Sequence, residues 1–182
     1  MTSGVFGRLR ALFGGTAPAA RTLYVEEDDW GDVEVLPAEI AYWCRAELGK
    51  MAVFANAHRA PNNTGWTDVY VRQPAPMPLA DLRIPLAPVL DMLAARLPAF
   101  DRVTSGNFSA PVAVAGARAF GLSPHAAVIV LPDADGAVVR SMMPVLNDDG
   151  PDAAAVIEVL RELVSPEPLI VVDWLGGELI EL

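Results

Sequence analysis

The chain has 182 residues, 53% of them hydrophobic, and a formal net charge of −10. That length and apolar content suit one domain with a substantial core, and no apolar run approaches the roughly 18 residues that would mark an integral membrane protein. The acidity argues against binding nucleic-acid phosphates, and one cysteine, Cys44, excludes an internal disulfide framework and a multi-cysteine metal site.

The first separable segment is residues 1–21. Within "GVFGRLRALFGG", Val5, Phe6, Leu9, Leu12 and Phe13 recur at helical spacing, with Arg8 and Arg10 between them. Gly14 and Gly15 stop this helix, and "GGTAPAA" reads as a linker. A helix this short needs a surface to lie on. Phe6, Leu9 and Phe13, with Arg8 and Arg10, suit docking on an anionic membrane, on a partner or on the protein's own body.

Residues 22–182 are then expected to form a single domain. "TLYVEE" and "DVEVLP" lean towards strand on either side of "DDWG", which predicts a hairpin over 22–36 with Trp30 near its tip. Residues 26–39 hold seven acids and no base. Pro37 suits the first turn of a helix running from Ala38 to about His58, with an inner stripe of Ile40, Trp43, Cys44, Leu48, Met51, Phe54 and Ala55. "APNNTG" ends it, and "WTDVYVRQ" reads as the next strand.

"PAPMP" is a stiff connector into a second helix from Leu86 to Leu97. "FDRVTSG" reads as a short strand, and the small-residue stretch after it shows neither period clearly. "AAVIVLP" is apolar throughout, which predicts a central strand, and "DADG" turns it into "AVVRSMMPV". Pro151 opens a third helix with Val156, Val159, Leu160 and Leu163 inward. "LIVVDW" and "ELIEL" form a closing hairpin. The order gives an α+β class: one mainly antiparallel sheet of about six strands, with three helices mainly on one face.

Catalytic signatures are absent from the sequence. Cys44 and His58 fall on one predicted helix, 14 residues apart, so at 1.5 Å per residue they stand about 21 Å from each other. No G-x-S-x-G elbow, phosphate-binding glycine loop or H-E-x-x-H pair occurs. No metal site and no cofactor are therefore expected.

What remains is a set of aromatic and charged residues near element ends. They are Glu27, Asp28, Asp29, Trp30 and Asp32 in the acidic turn, His58, Arg59 and Trp66 around "APNNTG", and Asp173 and Trp174 near the C-terminus. Tryptophan and arginine anchor binding hot spots, and a run of carboxylates steers cations. The reading is a non-enzymatic, inhibitor- or adaptor-like protein of the cytoplasm engaging a basic protein partner, with Trp30 as an at least partly exposed anchor. One alternative is a small enzyme whose site, for example His58, Asp68, Arg72 and Asp173, assembles only in space. The other is an accessory protein docked peripherally on the inner membrane surface through residues 4–13.

Overall fold

Residues 20–60, 65, 67–106, 109–146 and 150–182 are described by the computed structural model. The docking segment with Phe6, Arg8, Leu9, Arg10 and Phe13, and also Trp66, lies outside these residues. In chain order the elements are β1 (Thr22–Val25), β2 (Val33–Pro37), α1 (Ala41–His58), α2 (Leu86–Arg96), β3 (Arg102–Ser105), β4 (Val112–Ala113), β5 (Arg118–Ser123), β6 (Ala126–Pro132), β7 (Val139–Leu146), α3 (Pro151–Leu160), β8 (Leu169–Asp173) and β9 (Glu178–Glu181). The fold is α+β, and its strands form three sheets of three, ordered β1–β3–β4, β2–β8–β9 and β5–β6–β7. Every pairing is antiparallel except β1 with β3.

β6 is buried along almost its whole length because both its faces are covered. Ala126, Val128 and Val130 point into one core, and Ala127, Ile129 and Leu131 into another, as the two-residue period of a strand requires. β8 divides in the same way: Leu169 and Val171 join the first core, whereas Ile170 and Val172 face α1. β2 runs beside β7, so the two antiparallel sheets sit edge to edge and share the first core. α2 closes that core through Val89 and Leu93, and α3 through Val156, Ile157 and Leu160. Each such fully buried aliphatic side chain contributes about 1.5–3 kcal/mol of transfer free energy.

The other face is covered in two parts. Leu23, Val25 and Val103 of the β1–β3–β4 sheet lie over β5–β6–β7, and Ile40 and Cys44 lie over β8 with Leu36 and Trp174. α1 thus packs opposite α2 and α3, not beside them as the sequence suggested. Among the described residues nine strands in three sheets stand where one sheet of about six was expected.

Two local expectations are corrected. β1 and β2 do not pair with each other: β1 pairs with β3 and β2 with β8. Alternate β1 residues are buried, so that strand needs cover on one face, whereas consecutive Val35, Leu36 and Pro37 are all buried and need cover on both. One hairpin cannot meet both demands. Residues 67–73 of "WTDVYVRQ" are not a strand either. Val69 and Val71 face solvent, while Tyr70 reaches back to α1, and the prolines at 74, 76 and 78 offer no ladder donors. Among the described residues no helix is long and apolar enough to cross a membrane.

Candidate functional site

The acidic turn links a strand of one sheet to a strand of another, and the divergence leaves a cleft of about 410 Å³ beneath it. Val33, Met143, Val145 and Leu146 give it apolar walls, and Tyr24, Asp29, Asp32 and Asp173 supply the polar groups. Among the described residues no basic side chain lines it.

Each carboxylate is placed by backbone geometry. Asp173 ends β8 opposite Val33, and its Oδ1 accepts the Gly176 backbone N–H at 2.6 Å. A Cβ at position 176 would fall 2.4 Å from the Asp173 Oδ2, so any larger residue there would push this carboxylate out of its place. Asp32 is fixed through its carbonyl, which accepts the Trp174 backbone N–H at 2.8 Å. Asp29 ends a 3-10 turn, Glu27–Asp29, whose backbone N–H donates to the Glu26 carbonyl at 3.2 Å.

The electrostatics follow from this crowding. Partial burial, then the charges of Asp29 and Asp173, push the Asp32 carboxyl above its ordinary value, and Arg72 opposes them only in part. The Tyr24 phenol is likewise pushed upward, by desolvation and by Glu26 and Asp29, while its hydroxyl donates to the Gly106 carbonyl. The cleft therefore disfavours its own negative charge, and a bound cation would relieve it.

One wall of the site is braced by a buried tryptophan. The Trp174 indole N–H donates to Glu34 Oε2 at 2.8 Å, and Arg72 Nη2 lies 3.0 Å from the same oxygen. The Arg72 guanidinium lies 4.1 Å from the Trp174 ring centroid, and Trp43 meets that ring edge-on at 6.1 Å. Trp174 is thus a structural member of the site. Trp30 sits on the other side of the acidic turn, partly buried against the core under β1–β3–β4. Its indole N–H donates to Ser105 Oγ at 2.6 Å. With Glu27 it lines a shallower cavity of about 450 Å³, and Asp28 is exposed.

The remaining sequence candidates lie apart from this cleft. His58 closes α1, stacks on Phe54 at 4.1 Å and has Nδ1 3.9 Å from Asp68 Oδ2. Arg59 follows it as the exposed C-cap. Of the constellation weighed for catalysis, His58 and Asp68 lie 3.9 Å apart, whereas His58, Arg72 and Asp173 line three different cavities. Among the described residues no three of His, Cys, Asp or Glu are placed to hold a metal ion.

Sequence reasoning missed Tyr24 and Glu34, which are brought in by strand register, and it named Arg72 only in the constellation weighed for catalysis, not beside Glu34 and Trp174. It also missed Glu47, only 1% exposed, which accepts hydrogen bonds from Lys50 and Tyr70. The signal for Glu47 was present: it falls on the apolar stripe, between Cys44 and Met51. Compared with known protein families, with curated proteins and with solved structures, the chain matches none.

Proposed function

We propose that this protein is a non-catalytic binding protein that takes a basic segment of a partner protein into the cleft under the acidic turn. The observation that carries this reading is the convergence of Asp29, Asp32 and Asp173 on an apolar-walled cleft in which Asp32 resists ionisation. A guanidinium or ammonium group entering it would pair with these carboxylates while its aliphatic stem lies on Val33 and Leu146. The exposed Glu27 and Asp28 extend the negative field outward and would speed encounter with such a partner.

The test is fluorescence anisotropy with a labelled peptide of alternating arginine and alanine, at low and at high salt. Binding should weaken with salt. Asp29→Asn and Asp32→Asn should each weaken it by about tenfold. Equal affinity in wild type and both variants would overturn the reading.

A further inference from the structure

Arg140 is the residue that β7 has in excess over β6. Leu131 stands opposite Ser141 and Pro132 opposite Val139, so Arg140 has no counterpart across the ladder. A bulge of this kind takes a side chain out of the regular alternation and re-aims it. Arg140 is exposed, and among the described residues no carboxylate lies within ion-pair reach of it. In a chain with 23 acidic residues to 13 basic ones, a guanidinium left without an acid needs a reason.

The reason lies in a cavity of about 410 Å³ that Arg140 borders, between β2, β7 and the irregular segment. It shares no lining residue with the acidic cleft. Its charged residues are Arg72, Arg140 and Glu34, a formal sum of +1. Arg72 is held in place from two sides, 3.0 Å from Glu34 Oε2 and 4.1 Å above the Trp174 ring centre. Donors also exceed acceptors. Glu34 Oε2 already takes the Trp174 indole N–H and Arg72, whereas the side chains of Gln73, Arg140 and Ser141 have no hydrogen-bond partner among the described residues. Pro74, Ala75 and Pro78 supply an apolar wall, stiffened because each proline fixes its own φ.

We infer that this cavity binds a small organic monocarboxylate with an apolar body. Its two oxygens match the planar fork of Arg140, with Ser141 and Gln73 as further donors, and its body lies against Pro74 and Pro78. Charge narrows the class. A single negative charge balances the +1 of the lining, whereas a dianion leaves an excess negative charge in a protein that is already acidic. A cation meets two guanidiniums, and a neutral ligand leaves the Arg140 charge without a partner. The volume is that of a small-ligand site.

Titration of the full-length protein with phenylacetate, followed by ¹H–¹⁵N NMR, tests this. The Arg140 Nε–H signal and the backbone amides of Gln73 and Ser141 should move together, with a dissociation constant on the order of 0.1–1 mM. Phenylacetamide, of the same shape but uncharged, and sulfate, a dianion, should each bind at least about tenfold more weakly. Arg140→Gln should lose about tenfold in affinity for phenylacetate at an unchanged melting temperature, because the side chain it replaces has no partner in the fold. Arg140→Lys should fall between the two, since an ammonium keeps the charge but not the fork. No movement of these signals up to about 10 mM phenylacetate would overturn the proposal. So would equal binding of the amide, tighter binding of sulfate, or undiminished affinity in Arg140→Gln.

Discussion

The Tyr70 hydroxyl donates to Glu47 Oε1 at 2.7 Å and so pins an otherwise irregular segment to α1. Lys50 Nζ holds the second carboxylate oxygen at 2.8 Å, and the Gln73 backbone N–H approaches Oε1 at 3.4 Å. Sealed from solvent but lying just beneath the surface, Glu47 gains more from these donors than it loses by burial. The hydrogen bond from Lys50, helped by Tyr70 and Gln73, holds its carboxyl below the ordinary value of 4.5.

The pH dependence of stability follows with a definite sign. A carboxyl depressed in the folded state stabilises the fold fully above its ordinary value of 4.5, and that stabilisation is lost as pH falls through the lower folded value. Urea unfolding of Glu47→Gln should therefore show a shallower acid limb than wild type. Glu47→Ala should lose about 2 kcal/mol at neutral pH. An acid limb unchanged in Glu47→Gln would refute the assignment.

Cys44 is fully buried between α1 and β8, and desolvation, reinforced by the nearby Glu34 charge, pushes its thiol up to about 11. A thiol reagent at neutral pH should label it only as fast as the protein opens. Cys44→Ser should cost about 1–3 kcal/mol by burying a hydroxyl in an apolar site. Rapid labelling of folded protein would show that the thiol is accessible.

The two tryptophans nearest the cleft should separate by stability. Trp174→Ala removes a buried ring and strips Glu34 and Arg72 of their shared partner, at about 3–5 kcal/mol. Trp30→Phe keeps most of the apolar contact and loses the hydrogen bond to Ser105, at about 1 kcal/mol. Denaturant midpoints check both. Equal losses would mean that Trp30 is as deeply structural as Trp174.

Asp32 behaves oppositely to Glu47. A carboxyl raised in the folded state contributes stability that is complete below its ordinary value of 3.8 and is lost as pH rises through the folded value. Asp32→Asn should therefore melt higher than wild type at neutral pH, and the gap should close below that ordinary value. A variant that melts lower at neutral pH would show that the charge of Asp32 supports the fold.

Periodicity made the best-defined elements legible. The uniform apolarity of "AAVIVLP" marked β6, Pro151 marked the start of α3, and the "DADG" turn marked the β6–β7 hairpin. Partner choice was not legible, because the pattern of β2 states that both faces are buried but not which strand lies alongside. The cleft shared that fate. Asp173 and Asp32 could be flagged as carboxylates near element ends, yet their meeting depends on the Val33–Asp173 register, set 140 residues apart. Arg72 was flagged only with His58, Asp68 and Asp173, and its place beside Glu34 and Trp174 was hidden because an irregular segment advertises no direction for its side chains.

That distant register also sets an order for folding. β1 finds β3 only after residue 105 has been made, and β2 finds β8 only after residue 173. On a growing chain, the inner face of α1 has no β8 to lie on until residues 169–173 emerge. Ile40 and Cys44 then stand bare beside nascent sequence. Native pairings this remote close slowly, so the chain should form its central hairpin early and its N-terminal half late. A chain stopped before Leu169 would keep β5–β6–β7 but leave α1 without a seat, and the cell's quality-control machinery would meet it as an exposed greasy helix.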